Sequence, residues 1–233
     1  MSLTILDENI WFPPLEDALE DGLLAMGGDL STERLIKAYQ EGIFPWYEGE
    51  TPLWWSPNPR FVIYPANLKE SATMKQVIKR KEFVFKTNTA FDQVIAHCKK
   101  IKRAGQQGTW ITPAVENAYN ILHQQGIAHS AEAWRDGTLV GGLYGIKMGK
   151  LFFGESMFNS ESNASKFAFI NYVKQLEAEG IVLIDCQVYT EHLESLGAEM
   201  IDRDLFKKLL YNCLLYTSPS PRDRTRSRMP SSA

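Results

Sequence analysis

Apolar positions recur at helical spacing in several punctuated segments of the chain. "DLSTERLIKAYQEG" puts Leu35, Ile36 and Tyr39 on one face, with Ser31 as N-cap and Gly42 just past the end. "NLKESATMKQVIKRKE" and "AFDQVIAHCKKIKR" repeat that spacing, the second with Val94, Ile95, Cys98 and Ile101 inward. "TPAVENAYNILHQQG" starts on Thr112 and Pro113 and stops at Gly126, which predicts a further helix. Between them "RFVIYP" and "EFVFKTN" read as short strands. The period then changes to two. "AHSAEAWRDGTLVGGLYGIKMGKLFFGESMF" turns at Asp136-Gly137 and again at Met148-Gly149-Lys150, which predicts a three-strand antiparallel meander. "NASKFAFINYVKQLEAEG" predicts a helix, and the apolar "IVLIDCQV" a buried central strand. A short helix, the strand-like "AEMI" and the helix "DRDLFKKLL" follow. The order β-β-β-α-β-α-β, with a crossover helix before a buried strand, predicts an α+β fold: a mixed, mainly antiparallel sheet with helices on its faces.

One stretch fits neither period. "GIFPWYEGETPLWWSPNPR", Gly42 to Arg60, holds Trp46, Trp54 and Trp55, half of the six tryptophans in the chain. Its prolines exclude a central strand or a helix interior and predict an ordered loop. So much indole either fills a gap between two sub-structures or offers a flat face to a ligand such as a nucleobase.

Composition narrows the class. The chain has 233 residues and a formal charge of −3, and 44% of its residues are hydrophobic, as in an ordinary globular protein. Its apolar runs are too short to cross a bilayer, and "MSLTILDENIWFPP" lacks the basic and apolar regions of a signal peptide. Cys98, Cys186 and Cys213 are scattered thiols, which fits a reducing cytoplasm. Neither they nor the four histidines show metal-ligand spacing. From Tyr216 the sequence "YTSPSPRDRTRSRMPSSA" is Ser/Pro/Arg-rich and reads as a translated adapter that cannot build a core. It holds four arginines and one aspartate, so without it the formal charge moves from −3 to −6. An acidic folded part argues against general nucleic-acid coating but leaves room for a local basic patch. The expected organisation is a small N-terminal α/β domain over 1–62, a catalytic domain over 63–213 and a non-native tail over 214–233.

The element order is similar to that of the coenzyme-A-dependent acetyltransferase (GNAT) superfamily. Its members cradle pyrophosphate with a glycine-containing loop at the start of the crossover helix. The loop here, "FNSESNASK", has no glycine, so close backbone approach to a phosphate is not provided for and a different acyl donor is expected. A coenzyme-A-dependent N-acyltransferase and a non-catalytic adaptor for basic N-termini or tRNA are the alternatives.

An ordered set of motifs is more specific. "MGGDLS", "GIFPWY", "LWWSPNPR", "GTWIT", "GGLYG", "FFGESMF", "NASK", "LIDCQV" and "SLGAE" together resemble the leucyl/phenylalanyl-tRNA–protein transferase family of the bacterial N-end rule pathway. The resemblance implies transfer of Leu or Phe (also Met) from aminoacyl-tRNA to the N-terminal Arg or Lys of a protein. It implies no metal or diffusible cofactor. It places Asp185, Gln187 and Glu155 at the reaction. It sets Leu143, Phe152, Gly154, Met157, Phe169, Tyr172, Leu176 and Ile184 around the amino-acid pocket. Trp46 and Trp110 fall near the terminal adenosine, while Trp54 and Trp55 are assigned to packing between the two domains. Lys75, Lys79 and Arg80 form the best basic patch for the acceptor stem. The expected enzyme is a cytoplasmic monomer.

Physical chemistry sits comfortably beside that reading. An aminoacyl ester is already activated, and an α-amine with a pKa near ~7.7–8.0 is partly free base at neutral pH. Holding amine and ester in line and stabilising the oxyanion then matter more than a strong base. Strand alternation puts Asp185 and Gln187 on one side and turns Cys186 to the other, towards core packing. Glu155, expected at the end of a meander strand, is a candidate partner for the donor's ammonium or the acceptor's cationic side chain.

Overall fold

The computed structural model of the protein describes residues 3–101 and 110–215. The tail from Tyr216 and the expected helix end at Lys102 and Arg103 lie outside the described residues. In chain order the elements are β1 (Thr4–Leu6), β2 (Leu23–Gly27), α1 (Thr32–Gln40), β3 (Phe44–Pro45), β4 (Leu53–Trp55), β5 (Arg60–Ile63), α2 (Ala72–Lys79), β6 (Val84–Thr87), α3 (Phe91–Lys100) and α4 (Pro113–Gln124). Then come β7 (Ala128–Arg135), β8 (Thr138–Met148), β9 (Leu151–Asn159), α5 (Ala164–Ala178), β10 (Leu183–Gln187), α6 (Glu191–Glu194), β11 (Glu199–Ile201) and α7 (Arg203–Leu215).

These strands form a four-stranded sheet in the order β1-β2-β4-β3 and a seven-stranded sheet in the order β11-β5-β10-β9-β8-β7-β6. In the large sheet only β9 and β10 run parallel, joined through α5. The fold is therefore the expected α+β class, a mixed and mainly antiparallel sheet with helices on its faces. The predicted caps hold: Ser31 accepts from the Arg34 N–H, and Thr112 from the Val115 N–H ahead of Pro113.

Three local expectations change. The aromatic stretch is not all loop, since β3 and β4 lie within it. Pro45 is accommodated because β3 is an edge strand, where a missing N–H costs no ladder bond. The helix expected from Asn67 begins only at Ala72, because Pro65–Asn67 forms a separate 3-10 turn and Ser71 caps the true start through the Met74 N–H. Lys69 and Lys81 therefore lie outside it. Strands β1 and β2 had no readable alternation; they form by pairing with each other and, for β2, with β4.

The core fills both faces of the large sheet. One cluster joins α1, α3, α4 and α7 to the small sheet through Trp54, Tyr39 and Phe206. The other lies under α2 and α5 around Phe152, Phe169 and Leu176. Two irregularities sit side by side near the middle of the sheet. Opposite β8, Tyr144 pairs with Ser156 and Gly145 with Gly154, so Glu155 is an extra, bulged residue of β9. Opposite β5, Asp185 pairs with Val62 and Gln187 with Phe61, so Cys186 is the bulged residue of β10. Gly145 permits the first bulge: a Cβ there would stand 2.1 Å from the Phe153 carbonyl oxygen.

Candidate active site

The parallel ladder between β9 and β10 stops at the Phe153–Asp185 pair. Immediately beyond it the two strands carry the two bulges, and a cavity of about 480 Å³ opens between their continuations. Bulges re-aim side chains that a regular strand would alternate. Glu155 and Gln187 both reach this cavity as a result.

Three long-range partners converge on Glu155. Tyr39 of α1 donates to its Oε1 at 2.7 Å, Tyr119 of α4 to its Oε2 at 3.0 Å, and the Gln187 Nε2 to its Oε1 at 3.0 Å. The Tyr39 and Tyr119 hydroxyls also touch each other. Burial lifts the Glu155 carboxyl to about 7, the three hydrogen bonds oppose that rise, and the charge of Asp185 adds to it. Burial, reinforced by the Glu155 charge, pushes both phenols well above their ordinary range. A carboxyl poised near neutrality between two neutral donors can hold an ammonium or take up its proton.

Beneath this cluster lies a second one. Asp185 is fully buried and does not line the cavity. The Arg60 guanidinium donates from Nε to Oδ1 at 2.8 Å and from Nη2 to Oδ2 at 2.6 Å. The Gln187 backbone N–H also donates to Oδ1, at 2.9 Å, and Gln187 itself takes a left-handed φ of 66°. Simple alternation thus fails at this point. Asp185 and Gln187 meet through a backbone bond across a bulge, with the carboxylate underneath and the amide in the cavity. Cys186 faces away from Asp185 as expected, in the core cluster under α2 and α5 where it also lines the cavity, and burial pushes its thiol far up, away from thiolate.

Of the expected pocket residues, Leu143, Gly154, Met157, Phe169 and Ile184 line the cavity. Phe152, Tyr172 and Leu176 do not. They are buried behind it, Phe152 edge-on to Tyr172 at 5.1 Å. Glu155 sits inside β9 rather than at its end. Trp46, 37% exposed, lines the solvent side of the cavity, and Trp110 and Phe44, both buried in the core, line it as well. Trp55 props Trp46 from outside the cavity, ring to ring at 5.5 Å, and donates from Nε1 to the Trp46 carbonyl. Trp54 is fully buried, edge-on to Phe12 and bonded to the Gly27 carbonyl. Lys75, Lys79 and Arg80 lie on and just after α2, outside the cavity lining, with Arg80 3.8 Å from Glu82.

The reading from sequence missed Arg60, Tyr39 and Tyr119 as site residues. Tyr39 was legible only as a core position, Tyr119 only as part of a helix, and Arg60 only as the end of a motif, with no signal of a role. Among the described residues no group of three His, Cys, Asp or Glu side chains is placed to hold a metal, and no helix is long and apolar enough to cross a membrane.

Comparison with known proteins gives the family. Residues 62–211 match the family described as leucyl/phenylalanyl-tRNA protein transferase, and residues 28–58 match its N-terminal domain. The protein named leucyl/phenylalanyl-tRNA–protein transferase of Christiangramia forsetii is 56% identical over 202 residues, 85% of this chain and 95% of that one. Its namesake in Syntrophus aciditrophicus is 52% identical over 215 residues, 92% of this chain and 90% of that one. Among solved structures, a GCN5-related N-acetyltransferase from Kribbella flavida aligns over 71% of this chain and 59% of its own, at 10% identity and a TM-score of 0.36. The chain belongs to the leucyl/phenylalanyl-tRNA–protein transferase family, enzymes that pass an aminoacyl group from tRNA to protein.

Proposed function

We propose that the cavity receives the aminoacyl end of a tRNA esterified with Leu, Phe or Met and passes that residue to the N-terminal amine of a protein beginning with Arg or Lys, marking it for N-end rule degradation. The observation that carries this is one cavity with an apolar wall, Leu143, Met157, Phe169 and Ile184, set directly against the Glu155–Gln187 pair. The wall suits an apolar side chain unbranched at Cβ, whose burial contributes about 1.5–3 kcal/mol. Exposed Trp46, with Trp110 in the lining, suits the terminal adenosine, since stacking on an aromatic face accepts any base. The cations on and just after α2 suit the acceptor stem. The apolar side chain enters the wall, and the ester carbonyl comes to lie by Gln187.

The chemistry follows from those positions. The amine nitrogen bonds to the ester carbonyl carbon, and the carbon–oxygen bond to the ribose breaks. The electron pair leaves on the ribose oxygen, which takes up a proton. Gln187 spends its Nε2 on Glu155, so its carbonyl oxygen is the group that orients the amine. Glu155, near neutrality, accepts the ammonium proton and returns it towards the leaving oxygen. Asp185 supports Gln187 from below. We place this enzyme in the cytoplasm as a monomer, with 1–62 as its small N-terminal domain and 63–213 as the catalytic domain; its three buried cysteines, none of them in a disulfide, suit a reducing compartment.

Incubation with labelled leucyl-tRNA and peptides differing only in their first residue tests this. Label is expected in Arg- and Lys-starting peptides. Label that stays on the tRNA with every peptide overturns the proposal.

A further inference from the structure

The residue that ties the reactive strand to the rest of the molecule closes the "LWWSPNPR" motif and lies outside the cavity lining. Arg60 is fully buried at the start of β5, 125 positions from Asp185. Its guanidinium has three separate attachments. Two N–H groups grip the Asp185 carboxylate as a fork, and Nη1 donates to the Gly42 carbonyl at 3.0 Å. Its faces are covered by Phe44, 4.9 Å from the guanidinium carbon to the ring centre, and by Phe206 of α7 at 4.5 Å. Phe44 in turn lines the cavity, as Trp46 does.

The Asp185 oxygens are therefore committed. Oδ2 faces Arg60, while Oδ1 accepts from both Arg60 and the Gln187 backbone. That backbone bond spans the bulge at Cys186 and accompanies the left-handed conformation of Gln187. A non-glycine residue holds such a conformation only where its surroundings over-determine it.

We infer that Arg60 is a positioning residue for the transfer reaction: by fixing the Asp185 carboxylate it holds the Gln187 backbone in the left-handed region, which keeps the Gln187 amide against Glu155. Asp185 is then an anchor, not the group that meets the amine. The inference rests on the role proposed above for Gln187. Lysine cannot replace this arginine, because an ammonium lacks the planar fork that grips two oxygens while a third N–H reaches a carbonyl.

The test is a double-mutant cycle on the full chain with Arg60→Lys, Gln187→Ala and the pair, using leucyl-tRNA and an Arg-starting peptide. R60K is expected to lower kcat about tenfold or more with donor KM nearly unchanged, since Arg60 does not itself line the cavity and lysine keeps its charge and stem against Phe44. In the Q187A background the same change is expected to have almost no further effect, because its route to the reaction is already gone. A purely structural role would lower the melting temperature and act equally in both backgrounds. Additive losses with a slow Q187A overturn this inference and leave the role of Gln187 standing. Wild-type turnover by Q187A overturns both. If R60K does not fold, Asp185→Asn replaces it in the cycle: its carboxamide keeps the size and one acceptor but breaks the forked pairing, and the outcomes are read in the same way.

Discussion

At the floor of the cavity and just beneath it, Glu155 and Asp185 each accept three hydrogen bonds from the protein's own side chains and backbone. At its mouth Trp46 leaves 37% of its surface in solvent and rests against Trp55. The floor must be assembled in advance. Polar groups in a partly desolvated site act strongly only if they already point the right way, and they cost stability if left unpaired. The mouth needs no such assembly, because a flat ring offers a base its face without directional bonds. The difference separates the kinds of damage each region can suffer: floor substitutions should affect stability and turnover, mouth substitutions the affinity for donor.

The largest expected effect breaks the floor outright. Asp185→Ala leaves the Arg60 charge buried without a partner, which should cost about 3–5 kcal/mol of stability besides the turnover. A thermal melt alongside the transfer assay checks it, and a melt equal to wild type would refute the buried-pair argument. Trp54→Ala tests whether neighbouring tryptophans differ as the structure says. Trp54 is fully buried, so its loss should cost about 3–5 kcal/mol in a denaturant titration while donor affinity in the remaining folded protein stays put. Trp46→Ala should do the reverse, melting near wild type and raising the donor binding constant roughly tenfold, equivalent to ~1–3 kcal/mol of stacking. Early melting with normal donor binding would make Trp46 a packing residue and erase the contrast.

A smaller effect reads the floor by pH. The Glu155 carboxyl, raised by burial from 4.5 to about 7, binds its proton more tightly in the folded than in the unfolded protein. Its contribution to stability is therefore fully present below about 4.5 and is lost as pH rises through about 7. Glu155→Gln should flatten that decline in melts recorded between these values, and should remove the acid limb of turnover near neutral pH. The smallest effect lies outside both regions. Replacing Lys75, Lys79 and Arg80 by Ala should weaken full-length aminoacyl-tRNA more than a minimal aminoacyl-adenosine. The salt dependence should fall by about one slope unit for each phosphate that is no longer neutralised. Equal weakening of both donors would show that α2 is only a solvated face.

Local signals explain what could be read beforehand. A hydroxyl before a helix and a glycine after it act within a turn, so Ser31, Thr112 and Gly126 announced α1 and α4 with little help from elsewhere. The period-two alternation of β7, β8 and β9 needs only the pleat, and the apolar run of β10 only burial on both faces. The ordered motifs were enough to point to the family. Tertiary structure alone decided the site's wiring. Tyr39 and Glu155 lie 116 positions apart, Arg60 and Asp185 125, and no periodicity links such pairs. They meet because strands β9 and β10 part beyond Phe153 and bulge at Glu155 and Cys186. A bulge is one unpaired residue in a ladder, and it exists only once the partner strand has been chosen. Alternation counted along the chain therefore turned Cys186 away from Asp185 correctly, but put Gln187 on the Asp185 side when the bulge carries it into the cavity above that anchor.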